Sequence, residues 1–180
     1  MADIAFRPVT AANSSDFEAF FESPGAPKFC WCMVWRRSSE EARRHTGPDR
    51  KQQMMRRIAA GVPVGLLAYD ADAPVGWVSI APRETYRNLG GPPAKEGEVI
   101  WSIACFFVRR KRRGEGFVHH LIEGAVSFAR QAGATIVEAY PVDSTAPSYR
   151  FMGFVEVFER AGFGDHGMAG SRRHVMRRFV

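Results

Sequence analysis

The apolar positions of this 180-residue chain change spacing from stretch to stretch, and each change predicts an element. Ile4 to Thr10 alternates as a strand does; Phe17, Phe20 and Phe21 then recur at helical steps behind a capping serine, Ser14. From Pro24 to Pro48 the chain mixes Pro, Gly, Trp and Arg without a period, so irregular chain or short helix is expected. "DRKQQMMRRIAAG" predicts a helix capped by Asp49, with Met54, Met55 and Ile58 on one side and Gly61 as its stop. "VGLLAYD" and "PVGWVSIAP" are apolar runs parted by the turn residues Asp70, Asp72 and Pro74, the pattern of a β-hairpin.

After the polar loop "YRNLGGPPAKEGE" comes "VIWSIACFFV", Val99 to Val108, which does not alternate at all. A strand of that kind is covered on both faces and belongs at the centre of a sheet. Phe117, Val118, Leu121, Ile122, Ala125, Val126, Phe128 and Ala129 recur at three- and four-residue steps and predict an amphipathic helix that Gly133 ends. "ATIVEAY" is the next strand, so Val99 to Tyr140 forms a right-handed βαβ unit with parallel strands. A short helical piece near Pro147 to Met152 leads to "GFVEVFER" and "RRHVMRRFV", expected as paired C-terminal strands joined by the Gly-rich "AGFGDHGMAGSRR". The result is a single α/β (α+β) domain over residues 1–180.

Composition narrows the class. Hydrophobic residues at 46% and charged residues at 24% match a globular protein. The longest apolar run falls short of the roughly 20 residues a membrane helix needs, and the N-terminus lacks a signal pattern. The three cysteines, two of them in "CWC", give no disulfide framework, so reduced thiols and a cytoplasmic location are expected. A net charge of +6 asks for an anionic partner without choosing one.

The choice is made in "VRRKRRGEGFV". If the strand ends at Val108 and the helix starts near Gly114, the first helical N–H groups point along the axis with no internal partner, at the positive end of the macrodipole. Gly114 and Gly116 remove β-carbons that would hold a phosphate away, and Arg113 adds a charged fork beside the turn. Arg109 to Arg112 are expected at the mouth of this turn. A nucleic-acid patch would be interleaved with aromatics or spread along a helix face, and this run is neither, so a phosphate-bearing small molecule is the better reading.

These residues resemble the GCN5-related N-acetyltransferases (GNAT), whose acetyl-CoA motif Arg/Gln-x-x-Gly-x-Gly/Ala follows a central strand. Arg113, Gly116 and Val118 fall on its positions, five residues beyond Val108. "LIEGAVSFARQAGA", "TIVEAYPVD" and "SYRFMGF" resemble the helix, the strand and the Tyr-x-x-x-Gly-Phe ending that follow in that family. The resemblance implies a mixed sheet of six to seven strands flanked by helices, splayed between the parallel strands around Val99–Val108 and Ala134–Tyr140. It implies an acyltransferase that moves acetyl from acetyl-CoA, its co-substrate, directly to a primary amine. Two positions depart from the pattern: Val118 stands where Gly or Ala is usual, and Glu115 puts a carboxylate near the phosphates. A degenerate relative that binds acyl-CoA without transferring it is therefore the alternative.

What the resemblance implies for individual residues follows from this chemistry. Phe106, Phe107 and Val108 would supply backbone partners for pantetheine and an N–H for the carbonyl oxygen; Arg113, Gly114, Glu115, Gly116, Phe117 and Val118 would form the pyrophosphate turn. Tyr149 is either the acid for the leaving thiolate or a packing aromatic. Glu98, then Glu138, are the carboxylates offered as base, and His119 and His120 are expected to be exposed on the helix. Trp31 and Trp35, with Met33, are candidates for an acceptor wall. Cys30 and Cys32 lack a second pair of ligands and are expected as buried thiols, with no metal. Small-molecule and peptide amines are both open as acceptors. An exposed final strand leaves a homodimer open as well.

Overall fold

The computed structural model describes residues 4–114 and 116–180. Its strands are β1 (Ile4–Pro8), β2 (Leu66–Asp70), β3 (Ala73–Pro82), β4 (Ile100–Val108), β5 (Ile136–Ala139), β6 (Gly164–Ala169) and β7 (Arg173–Phe179). Its α-helices are α1 (Ser14–Glu22), α2 (Gly47–Ala59), α3 (Phe117–Gln131) and α4 (Val155–Arg160). The strands make one seven-stranded sheet in the order β1-β2-β3-β4-β5-β7-β6, with β4 in the middle. β4 and β5 are parallel; the other neighbours are antiparallel.

Each face of the sheet carries its own core. In β2, Leu66 and Ala68 face α3, and Leu67 and Tyr69 face α1 and α2, as a two-residue period requires. In β4 the alternation breaks. Trp101 and Ile103 belong to the α3 face, yet Cys105 joins the opposite face and Phe106 and Val108 return to α3. The cause is a one-residue bulge: β3 pairs Ser79 with Cys105 and Ile80 with Ile103, so Ala104 is the extra residue. An inserted residue shifts every later side chain to the other face. Because both faces here are apolar, the core tolerates the flip.

On the α1 side, Phe17, Phe20, Phe21, Trp31 and Trp77 interlock, with Phe17 and Trp77 at 5.0 Å edge-on and Phe21 stacked on Trp31 at 5.4 Å. α2 starts two residues before Asp49. Thr46 is its cap, and Asp49 answers from the third position in a reciprocal capping box. Likewise Asn13, not Ser14, precedes α1, and Thr10 caps the short turn before it.

The C-terminus differs from the sequence reading. "GFVEVFER" contains α4, not a strand: Phe154, Phe158 and Ala161 recur at four and three residues, and Phe158 is buried against Phe106 (6.0 Å) and Phe163 (5.1 Å). The Gly-rich stretch expected as a connection holds β6, mostly exposed along one edge of the sheet. The final strand β7 is consequently no edge, being paired with β5 and β6. No helix among the described residues is long and apolar enough to cross a membrane.

One ion pair ties the irregular segment to α2. Arg57 grips Glu41 with both nitrogens, at 2.8 and 2.7 Å, and Nη2 also donates to the Arg36 carbonyl at 2.8 Å. The Arg57 hydrogen bonds lower the Glu41 pKa from 4.5 to about 2. A carboxylate with a depressed folded pKa stabilises the fold above its unfolded value and loses that contribution as pH falls through the folded one. Glu41→Gln is therefore expected to lower the urea midpoint at neutral pH, with the difference from the unmutated chain shrinking between about pH 4.5 and 2.

Candidate active site

β4 and β5 share four rungs, from Ile100 with Ile136 to Ile103 with Ala139. The next residue of β4 is the bulged Ala104, and β5 ends at the same level. Beyond it, Ala104 to Val108 keep β3 on one side and have no described strand on the other. The opposite chain turns away, and Val142 bridges to Phe154 and Arg173 instead. The gap is a cleft of about 250 Å³. One wall is Phe106, Phe107 and Val108; Arg113 and Val118 close one end; Arg150, Phe151, Gly153, Phe154 and Val157 form the other wall. Gly153, at φ +91, holds that wall close: a Cβ there would meet Phe158 at 2.8 Å and Phe106 at 3.2 Å.

The strand-to-helix turn stands at the cleft's end. Gly114 and Gly116 have φ of +87 and +68, the left-handed region that glycine enters without strain, and a Cβ on either would meet nothing within 4 Å. The space before them is open. Gly116 is the N-cap of α3, so the first N–H groups of the helix face that space. Arg113 folds back, Nε donating to the Val108 carbonyl at 3.0 Å, which ties the turn to the end of β4. Glu115 lies outside the described residues. The rest of the basic run divides: Arg109 lies 5.3 Å over the Phe20 ring, Arg112 pairs with Asp70, and Arg110 and Lys111 are exposed.

A family model described as "Acetyltransferase (GNAT) family" matches residues 26–163. The chain belongs to the GNAT acetyltransferase family. Solved structures agree in fold. A GNAT acetyltransferase from Desulfovibrio desulfuricans aligns at TM-score 0.55 and 20% identity, covering 98% of this chain and 99% of the other. AAC(6')-Ib, solved with Parmomycin and acetyl-CoA, aligns at 0.62 and 15% over 98% and 93%. NAA60 of Arabidopsis thaliana, solved with acetyl-CoA, aligns at 0.53 and 16% over 99% and 100%. No curated protein sequence matches the chain.

In this GNAT fold the residues singled out in the sequence separate into groups. Phe106, Phe107, Val108, Arg113 and Val118 meet at the cleft, with Gly114 and Gly116 at its end. The Phe117 ring is buried against β3 at Gly76, which leaves only its backbone at the turn. Tyr149 sits at φ +61 and is 36% exposed. Its ring stands 6.3 Å from Trp35, and the Arg173 guanidinium lies over both, 4.5 Å from Trp35 and 5.4 Å from Tyr149. Trp31 is 3% exposed in the aromatic core and is not among the described residues that line the cleft. His119 and His120 are half-buried on α3, where exposure was expected.

Neither carboxylate reaches the cleft. Glu98 stands two residues before β4 and six before the bulge, and the strand residues Ile100 to Ala104 alone span about 13 Å. It accepts from the Lys95 N–H at 2.9 Å and lies 3.8 Å from Arg177. It lines a larger cavity of about 770 Å³ under the loop after β3, with Tyr86, Leu89 and Tyr140. Glu138 is fully buried and takes Arg177 at 2.7 Å, Arg83 at 3.3 Å and the Tyr140 hydroxyl. Burial and the Glu138 charge push the Tyr140 pKa up. Among the described residues no cluster of three or more His, Cys, Asp and Glu is placed to hold a metal.

Sequence reasoning missed the second wall. Arg150, Phe151, Phe154 and Val157 do not come together as a wall when the segment is taken as a short helix running into a strand. The spacing of Phe154, Phe158 and Ala161 was the available signal.

Proposed function

We propose that the chain is an acetyl-CoA-dependent N-acetyltransferase that passes acetyl directly to a primary amine. The bulge at Ala104 carries this reading. It parts β4 from β5 and leaves one side of the Phe106–Val108 backbone facing a cleft, so its amides are available to the amides of pantetheine. The pyrophosphate fits the open space before Gly114 and Gly116, where the first N–H groups of α3, Phe117 and Val118 among them, meet an anion at the positive end of the helix. Similar folds solved with acetyl-CoA support the same reading.

A backbone N–H near Phe106 would polarise the thioester carbonyl. The amine nitrogen attacks that carbon, the C–S bond breaks, and the thiolate takes a proton from Tyr149. The acceptor enters from the 770 Å³ cavity, whose lining residues Tyr86, Leu89 and Tyr140 pack in one cluster with Ala104. The distance to Glu98 leaves water in that cavity as the first recipient of the amine's proton. Trp35 flanks Tyr149 on this side.

The test is release of CoA thiol in the presence of a panel of primary amines, with the product mass checked for one acetyl group. Tyr149→Phe is expected to lower kcat about 100-fold and leave acetyl-CoA affinity unchanged, the mark of a lost acid. Val118 favours one competing outcome, since a β-branched side chain lines the cleft where the family pattern is small. Tight acetyl-CoA binding without transfer to any amine would establish that degenerate acyl-CoA-binding reading.

A further inference from the structure

β7 carries Arg173 and Arg177 on one face, since even spacing along a strand keeps side chains together. Arg177 stands opposite Glu138 of β5 and pairs with it at 2.7 Å. Arg173 stands opposite Val142, which offers no charge. The carboxylates nearest that valine in sequence are engaged elsewhere: Glu138 takes Arg83 as well as Arg177, and Asp143 lies 3.4 Å from His174. Among the described residues Arg173 makes one hydrogen bond, from Nη1 to the Leu89 carbonyl at 2.8 Å, and no ion pair. A guanidinium has several more N–H groups to give, and a carboxylate takes two of them at once.

A second donor beside it is equally unmet. The Trp35 indole Nε1 is buried and has no hydrogen-bond partner among the described residues. Arg173 lies 4.5 Å over this ring, 5.4 Å from the centre of the Tyr149 ring and 5.8 Å from that of Tyr140, so aromatic faces hold the guanidinium in place without supplying an anion. Tyr149 keeps φ +61 to present its ring, and a strained non-glycine residue is kept only where its surroundings enforce it. A buried N–H without an acceptor is rare in folded chains and calls for an explanation. Here it adjoins an unpaired cation, and one anion would answer both. The place fits an acceptor: Tyr149 adjoins Arg150 and Phe151 of the cleft wall, while Leu89 and Tyr140, which Arg173 also touches, line the 770 Å³ cavity.

We infer that Arg173 and Trp35 bind a carboxylate of the acceptor, and that the acceptor is an amino acid. The guanidinium supplies the charge and a planar pair of N–H groups, and the indole N–H adds a further bond. Arg173 stacks on the same tyrosine that serves the leaving thiolate, so the link between the carboxylate and the attacking amine must be short, as it is in an α-amino acid. The inference rests on reading the cleft and the larger cavity as a transferase site; the carboxylate site itself can be tested without turnover.

The first test is acetyl transfer to the proteinogenic amino acids, each set beside its own amide. For the best of them kcat/KM is expected to exceed that of the amide about 100-fold, because the amide leaves a buried charge unanswered. Arg173→Met should bring the ratio of acid to amide near one, chiefly through KM, and Trp35→Phe should lower it about tenfold. Arg173→Lys, which keeps the charge, should restore part of it. Equal rates for acid and amide, or variants that slow both alike, would overturn the inference. Preference for peptides that begin with Asp or Glu over every free amino acid would overturn the amino-acid assignment. The second test is tryptophan fluorescence titrated with the N-acetylated amino acids, which reads binding without turnover. Saturable quenching in the unmutated chain, lost in Arg173→Met, is the expected result; no saturation in the unmutated chain would overturn the carboxylate site. If Arg173→Met fails to fold, Trp35→Phe and the comparison of acid with amide still decide. Saturable quenching with no transfer to any amine would sink the transferase reading and leave the carboxylate site standing.

Discussion

Glu138→Ala is expected to destabilise the fold by about 3–5 kcal/mol, the cost of leaving a buried charge without its partner. Glu138 is fully buried, Arg177 is 5% exposed, and their bond is 2.7 Å. Removing the carboxylate leaves Arg177 only its longer pair with Glu98 at 3.8 Å and takes from the Tyr140 hydroxyl its bond to that carboxylate. It also loosens the loop over the larger cavity, because Arg83 and Arg177 both bond the Pro92 carbonyl as well as Glu138. For a chain of this length the loss corresponds to a melting temperature lower by roughly 6–20 °C. Differential scanning calorimetry at neutral pH measures it. A shift of under 2 °C would mean that the pair is not buried as described.

The largest functional effect is expected from Gly116→Trp. The position is left-handed at φ +68 and opens onto empty space, so an indole there strains the turn by about 1–2 kcal/mol and fills the volume before the first N–H groups of α3. The fold should survive and the ligand should not bind. At a concentration 100 times its dissociation constant, acetyl-CoA stabilises a binding protein by about 2.7 kcal/mol, or about 5–10 °C here. The unmutated chain should show that increment in a thermal shift, and Gly116→Trp should lose nearly all of it. An equal increment in both would place the ligand elsewhere.

Much of this was legible because it depends on local pattern. A strand without alternation, a glycine turn and an amphipathic helix are encoded in consecutive residues, and β4, the turn and α3 stand where "VIWSIACFFV", Gly114–Gly116 and Phe117–Gln131 put them. The bulge was not legible, because Ala104 sits among apolar neighbours and a change of face leaves no mark when both faces are apolar. α4 was misread because Val155 and Val157 alternate with Glu156, a two-residue pattern laid over helical spacing. Glu98 looks close to the cleft in the sequence because it stands just before the strand that forms it; six residues separate it from the bulge. The Trp35–Arg173–Tyr149 stack brings together residues far apart in sequence, which no local signal reports.

Backbone hydrogen exchange with and without saturating acetyl-CoA tests the central claim most directly. Amides of Ala104 to Val108 that face the cleft, and the N–H groups of Gly116 to Val118 at the start of α3, lack backbone partners on the open side and should exchange quickly in the free chain. Protection by acetyl-CoA of these two stretches together is the predicted result. Binding that leaves both unprotected, or protection confined to the loop over the larger cavity, would contradict it.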